Sequence, residues 1–432
     1  MKYKLSKYNY FYKQDENTYT CINLIDKSIF GLDIEKYNII QKHKENPIFI
    51  LEINPNLFSA LCKLGVIIDE DIDEISYLIT EHRKAVYSTD TFQLTILPTL
   101  ECNFKCWYCY EERINGQMSD ETQLLIIEYL KKNVFNTAIK YFHLDWFGGE
   151  PLICFENVVF PFSIKVKELC NKFNVQFNNT ITTNGALINS NMIQKFKLID
   201  LTGFQITLDG NENHHNKIKK GKNNQNVYKT TIANILEIID CIENTNFLLR
   251  INYTEKNING LTDIINDIPE KYRNRIEIGL QQVWQTQEGN NNIDATICNN
   301  EFVNSGFIAP LFKIETKFYR CYADLLSQLV INYNGDVFKC TARDFANHKP
   351  DGSIKDDEII WNSIYYKRMA STTIEKENCI NCNFLPACWG PCSQKLLEYK
   401  EGEFEKICNI DGIEKTIQFA LTDFYKKKIL TT

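Results

Sequence analysis

Cys102-Asn103-Phe104-Lys105-Cys106-Trp107-Tyr108-Cys109 sets three thiols in eight residues with the spacing C-x3-C-x2-C. The run directly follows Phe92–Ile96, whose β-branched and aromatic content reads as a strand. Loops at the C-terminal ends of β/α strands are where such folds carry their chemistry. Three thiolates on one loop can hold three irons of a cubane cluster and leave the fourth iron open to a cofactor or substrate. A structural zinc site is the competing reading, but zinc needs a fourth ligand and no His or Cys follows closely.

Outward from this loop the chain alternates strands with helices, the rhythm of a parallel sheet with helices outside it. Strands are expected at Phe92–Ile96, Tyr141–Phe147, Asn179–Thr183, Gly203–Leu208, Phe247–Tyr253 and Ile276–Val283. Helices are expected at Asp120–Asn133, Asn157–Phe173, Asn191–Phe196, Tyr228–Ile242 and Thr262–Ile268. Six β/α repeats are too few for a closed eight-fold barrel, so the expectation is a partial barrel. Glu288–Asn300, rich in Asn, reads as a linker loop. Ahead of the barrel, Tyr8–Tyr12 and Thr18–Leu24 read as strands and Ile34–Lys42 as a helix. Pro47–Ile50 reads as an interruption and Asn56–Gly65 as a helix ended by its glycine. Strands with three short helices suggest a winged-helix-like module.

The chain has 432 residues with 48 basic and 55 acidic side chains, a formal net charge of −7, which argues against a general nucleic-acid binder. Hydrophobic residues make up 44%, enough for real cores, and no apolar stretch is long enough to span a membrane. The start, MKYKLSKYNYFYK, lacks the features of a secretory signal, so a cytoplasmic location is expected. Sixteen cysteines in such a chain point to metal or cluster ligation rather than disulfides.

The cysteine loop resembles the radical SAM superfamily, whose hallmark is this spacing with an aromatic, here Tyr108, before the last cysteine. The resemblance implies that Cys102, Cys106 and Cys109 bind a [4Fe-4S] cluster and that S-adenosylmethionine occupies the open iron. Reductive cleavage of that cofactor would give a 5′-deoxyadenosyl radical. Gly148-Gly149-Glu150-Pro151 is similar to the family's GGEP motif, which binds the methionine amino group. Its glycines would allow close backbone approach to the ligand. Thr183-Asn184-Gly185 and Thr207-Leu208-Asp209-Gly210 are similar to family segments that hold cofactor ribose and substrate. Arg250 could pair with the cofactor carboxylate or form a salt bridge at the barrel rim. His214-His215-Asn216-Lys217 resembles a His-Asp element, with Asn216 where the family has Asp, and is assigned no role.

Farther on, Cys321, Gly335-x4-Cys340, Cys379-x2-Cys382-x5-Cys388-x3-Cys392 and Cys408 resemble the seven-cysteine SPASM arrangement for two auxiliary clusters. The resemblance implies Cys321, Cys340 and Cys392 at the first cluster and Cys379, Cys382, Cys388 and Cys408 at the second. Cys298, 23 residues before Cys321, is left as an open candidate for the first. Cys21, Cys62, Cys154, Cys170 and Cys241 read as packing residues. The expected organisation is a recognition module at 1–88, the barrel at 89–290, and a linker plus SPASM domain at 291–432. The front module resembles the element that captures a leader peptide in radical SAM/SPASM peptide maturases by adding a strand to a sheet edge. The expected activity is therefore radical modification of a ribosomally made precursor peptide, giving a thioether, a carbon–carbon crosslink or a related product. A flavodoxin or ferredoxin would donate the electron, and neither nucleic acid nor membrane is an expected partner. Two alternatives stay open. One is a sulfatase-maturing formylglycine-forming enzyme, although Thr341 stands where that group has its Asp base and Asp344 lies three residues later. The other is a non-catalytic zinc-binding adaptor. No catalytic acid or base is assigned.

Overall fold

A computed structural model describes residues 2–221, 225–284, 293–310, 317–371, 373–399 and 404–429. The chain divides into two compact units, one of residues 1–88, 312–326 and 367–432, the other of residues 89–311 and 327–366.

The first unit begins with strand β1 (Tyr3–Leu5), the antiparallel meander β2 (Asn9–Lys13), β3 (Thr18–Asn23) and β4 (Ile29–Asp33), and β5 (Ile67–Asp69), which pairs with β1. Helices α1 (Ile34–Lys42), α2 (Ile48–Ile53), α3 (Pro55–Lys63) and α4 (Glu74–Val86) fill the intervals. Side chains of Asp33, Asn54 and Asp73 cap α1, α3 and α4 by accepting otherwise orphaned amides. The expected break at Pro47–Ile50 is instead the start of α2, because a proline ring pre-sets the backbone angle that a helix start needs.

In the second unit six strands lie parallel and in chain order: β6 (Thr91–Leu97), β7 (Tyr141–Trp146), β8 (Gln176–Thr183), β9 (Leu201–Leu208), β10 (Asn246–Tyr253) and β11 (Ile276–Gln282). Between them run α5 (Asp120–Tyr129), α6 (Phe160–Phe173), α7 (Ser190–Leu198), α8 (Glu212–Ile218) and α9 (Val227–Cys241). This is the expected six-strand β/α architecture. Phe142, Leu144 and Trp146 of β7 are buried in the core shared with α5 and α6, while His143 and Asp145 between them are only partly buried. Two expected helices contain π-helical turns, Leu130–Val134 after α5 and Phe155–Val159 before α6. The expected helix at Thr262–Ile268 is reduced to the single turn Ile264–Asp267.

The sheet does not end at its sixth strand. β12 (Gln328–Asn332) pairs parallel with β6, and β13 (Asp336–Phe338), β14 (Gly352–Lys355) and β15 (Glu358–Trp361) follow antiparallel. Residues 328–361, expected in the SPASM segment, thus extend the barrel sheet. Of the expected linker loop, 288–292 lies outside the described residues, and Thr296–Asn304 is a helix whose Phe302 is wholly buried. Burial against the barrel overrides the poor helix propensity of its asparagines.

The remainder of the first unit is cysteine-rich, with the short helices Glu377–Ile380, Leu385–Cys388 and Ser393–Glu398 and the long helix Ile410–Ile429. Four-residue helices have no stability of their own. These are held by a core in which Tyr8, Ile22, Leu24 and Leu78 of the front module pack with Ile374, Cys379, Leu385, Trp389, Ile417 and Leu421. Lys7 Nζ donates to the Ile380 carbonyl at 2.7 Å, and Lys27 Nζ donates to the Pro386 carbonyl at 2.7 Å. Among the described residues no helix is long and apolar enough to cross a membrane.

Burial pulls the Lys27 pKa down to about 8. The unfolded chain then binds more protons than the folded one between about pH 8 and the ordinary lysine value, so stability should rise across that window. It is fully present above the unfolded pKa and lost as pH falls through about 8. Urea unfolding at a series of pH values, compared with Lys27→Met, should show this slope in the native protein and a flatter one in the variant.

Candidate active site in the barrel

The cysteine loop leaves β6 and is closed at its base by its own hydrogen bonds. The Thr99 hydroxyl bonds with the Gly116 carbonyl at 2.5 Å, the Gly116 amide donates to Glu101 Oε1 at 2.8 Å, and the Met118 amide donates to the Pro98 carbonyl at 2.8 Å. The loop after β7 lies directly on it. The Gly149 amide donates to the Thr99 carbonyl at 3.2 Å and the Glu150 amide to the Glu101 carbonyl at 2.7 Å. A Cβ on Gly149 would stand 2.2 Å from the Glu101 carbonyl oxygen, and one on Gly148, at φ +105°, 2.6 Å from that of Thr99. The close approach expected between these glycines and a ligand is therefore an approach to the cysteine loop's own backbone.

Glu150 is wholly buried. It accepts from the Leu152 amide (3.0 Å), the Thr183 hydroxyl (2.7 Å) and the Asn184 amide (2.8 Å). Burial raises its pKa, and these donors and Lys219 oppose the rise. Three of about four carboxylate acceptor sites are thus filled from within the protein. The carboxylate ties the loop after β7 to the loop after β8, and Asn184 Nδ2 ties that loop back to Asn103 Oδ1 at 2.8 Å. Pro151, buried, opens the single turn Pro151–Cys154.

Over this frame lies an open cavity enclosing about 1050 Å³, part of it open to solvent. Cys102, Cys106 and Cys109 all line it. So do Tyr108, Gly148, Gly149, Thr183, Asn184, Thr207 and Arg250. Glu150, Pro151 and Asp209 do not line it and act from behind. Burial pushes the Cys102 thiol up to about 12 and also raises Cys106 and Cys109. Iron ligation would supply the compensating positive charge. Arg250 Nε donates to Asn252 Oδ1 at 3.2 Å, and among the described residues no carboxylate pairs with its guanidinium.

Asp209 is the hidden anchor. The Tyr108 hydroxyl and Lys219 Nζ both donate to it, the lysine at 2.5 Å, and Asn252 Nδ2 reaches it at 3.4 Å. Burial works to raise its pKa, but the Lys219 charge, with the hydrogen bonds from Lys219 and Tyr108, outweighs that and holds it low. His215 is buried against Tyr228, and burial, with Lys219, lowers its pKa to about 3, so it is neutral. Asn216 donates to Asn226 and accepts from the Tyr228 amide, a local brace. The sequence reading missed Lys219, which lines the cavity yet is almost fully buried. It sits in a lysine-rich run that looks solvated, and nothing local marks it. Glu111 and Arg113 were also missed. Both line the cavity, and each has a buried polar atom, Oε2 and Nε, without a hydrogen-bond partner. Burial, with Asp344 nearby, lifts Glu111 to about 8.

In the other unit Cys379, Cys382, Cys388 and Cys408 line one cavity of about 1070 Å³. Burial, followed by the three neighbouring thiols, pushes Cys379 up to about 12. Cys321 and Cys392 belong to this unit and Cys340 to the barrel unit. Cys298 packs on the barrel core with its thiol donating to the Ile258 carbonyl at 3.5 Å. Among the described residues no three His, Cys, Asp or Glu side chains converge tightly enough for a single ion. The thiols instead ring cavities, a donor set that suits a larger multi-iron group.

Residues 96–260 match the radical SAM superfamily, and residues 321–383 match the SPASM iron–sulfur cluster-binding domain. The chain belongs to the radical SAM/SPASM family. This radical SAM enzyme is 23% identical to the radical SAM cyclopropyl synthase TigE of Paramaledivibacter caminithermalis, over 90% of this chain and 89% of that protein. Its fold is shared with anSMEcpe bound to AdoMet (TM-score 0.56, 18% identity, covering 78% of this chain and 98% of that one). It is also shared with Streptococcus suis SuiB bound to the precursor peptide SuiA (TM-score 0.53, 16% identity, 94% and 100%). Iron–sulfur clusters and S-adenosylmethionine are the cofactors of such domains.

Gly149→Ala should push the cysteine loop away from the loop after β7. Anaerobically reconstituted variant should hold clearly less iron per chain than the native protein, whereas Gly31→Ala, in the other unit, where a Cβ meets nothing nearer than 4.0 Å, should load normally.

Proposed function

We propose that the protein cleaves S-adenosylmethionine reductively and uses the resulting radical to modify a ribosomally made precursor peptide. The observation that carries this reading is the convergence of Cys102, Cys106 and Cys109 with Arg250, Thr207 and Lys219 on one cavity. When bound there, the cluster and S-adenosylmethionine supply one-electron chemistry and a 5′-deoxyadenosyl radical that can take hydrogen from carbon.

The chain's own residues bind, orient and shield. Cys102, Cys106 and Cys109 would hold the cluster, and Asp209 keeps Tyr108 against the loop that carries them. Arg250, with no carboxylate partner among the described residues, can offer its fork of donors to the cofactor's carboxylate. Thr207 and Asn184 present polar atoms at the wall for ribose or amino groups. The side chains of Phe104, Phe147 and Val283 in the same lining limit water around a reactive carbon. Glu150 keeps the strand-end loops in register rather than contacting the cavity itself.

Two auxiliary [4Fe-4S] clusters belong to the proposal, one at Cys321, Cys340 and Cys392 and one at Cys379, Cys382, Cys388 and Cys408. The shared cavity of the last four supports the second. The front module, with an antiparallel meander whose β2 and β4 lie at its edges, would take the peptide leader as an added strand. The form of SuiB bound to the precursor peptide SuiA favours a peptide substrate, and a cytoplasmic flavodoxin or ferredoxin would be the donor. Formylglycine formation is less favoured. Asp344, near the position of that group's base, accepts from the Glu112 and Ala346 amides and from Asn347.

Reconstituted full-length protein should hold about ten to twelve iron with matching sulfide and produce 5′-deoxyadenosine with dithionite. Cys106→Ala should abolish deoxyadenosine, and Cys379→Ala should lower iron while deoxyadenosine formation persists. Zinc without sulfide in the native protein would sink the proposal in favour of a metal-binding adaptor.

A further inference from the structure

Tyr110 directly follows Cys109, and its hydroxyl donates to the carbonyl oxygen of Thr341 at 3.2 Å; Thr341 directly follows Cys340. The Glu112 amide donates to Asp344 Oδ1 at 3.0 Å. Asn347 Nδ2 lies 2.7 Å from Glu112 Oε2 and 2.6 Å from Asp344 Oδ2, donating to both. Three hydrogen bonds therefore join two irregular segments more than 220 residues apart in sequence, each beginning next to a cysteine, and the Asn347–Asp344 bond braces the second segment internally. The Tyr110 ring also stacks on Trp284, with centroids 6.3 Å apart.

Neither segment has regular structure to fix it. Residues 98–118 form a loop outside the parallel strands, and residues 339–351 run from β13 to β14 without a strand. Loops of this kind move unless they are tied. The ties fall beside the cysteines rather than at the far ends of the loops. Asp344 is committed to them: burial works to raise its pKa, yet Asn347 and the Glu112 and Ala346 amides bring it below the ordinary value.

We propose that Tyr110, Glu112, Asp344 and Asn347 form a clasp that fixes the distance between Cys109 and Cys340, and so between the two iron–sulfur clusters those thiols serve. The inference rests on reading Cys340 as a cluster ligand. These are positioning residues, because none is required to touch substrate or cofactor. The Tyr110 hydrogen bond links the two ligands through one peptide unit, one side chain, one hydrogen bond and one further peptide unit.

The test uses full-length protein reconstituted anaerobically with iron and sulfide and reduced with dithionite. Power saturation of the electron paramagnetic resonance signal from the first cluster reports its magnetic interaction with its neighbour. Tyr110→Phe and Asn347→Ala should keep native iron content, while their half-saturation power shifts toward that of Cys340→Ala, in which the neighbouring cluster is impaired. Native half-saturation power in both variants overturns the clasp. Loss of iron from the first cluster in either variant also overturns it, since the bonds would then serve only the fold of the cysteine loop. If Cys340→Ala itself keeps native iron and native saturation, the assignment of Cys340 has failed, and the clasp loses its object with it.

Discussion

Two backbones touch where no side-chain carbon fits between them, and the barrel site depends on that contact. The loop after β7 lies on the cysteine loop at Gly148 and Gly149, and two amide-to-carbonyl hydrogen bonds seal the join. Once the join is made, Glu150 is carried into the interior, where its carboxylate reaches the loop after β8. A buried carboxylate is costly unless its acceptor sites are filled. Here three donors fill most of them, and the cost becomes a constraint that holds neighbouring strand ends in register. The thiols are thus presented by a loop fixed from behind and open in front.

The same economy governs the opposite wall. Asp209 looks like a ligand-binding group at a strand end, yet its oxygens are taken by Tyr108 and Lys219. Lys219 keeps a charge at the cavity surface without exposing its stem, because Asp209 and the Thr207 carbonyl hold its ammonium. One buried ion pair therefore fixes an aromatic ring beside two cysteines and a positive charge beside the cofactor space. Removing either partner would leave the other charge buried alone, which is far costlier than losing the pair together.

Much of this was legible in the sequence. β7 and the second half of β8 alternate buried and half-buried residues, and the expected strands agree with the observed ones to within a few residues at each end. The three cysteines were readable because their spacing is local. What escaped reading was set by partners distant in sequence. β12 joins β6 from more than 230 residues away, and nothing in Gln328–Asn332 names its neighbour. The helix Thr296–Asn304 looked like a loop because its asparagines favour turns, and only burial of Phe302 reveals it. Glu111 and Lys219 carry no motif of their own, and their importance lies in what surrounds them. The role of the paired glycines was half legible: the need for close approach could be read, the identity of the approaching group could not.

The core shared by the front module and the cysteine-rich segment has a consequence for how such a chain can change. Tyr8, Ile22 and Leu78 have no complete interior of their own; Leu385, Trp389 and Ile417 finish it. Sequence order suggests a detachable cassette at the front of the chain, and packing denies it. A front module taken from a relative would keep its own core around Leu32, Ile40, Phe58 and Leu61 but bring only half of this shared one, and its new host would present the wrong other half. Recombination and engineering should therefore succeed when the exchanged piece is the pair, two stretches separated by the whole barrel, and change in one stretch should be answered by change in the other.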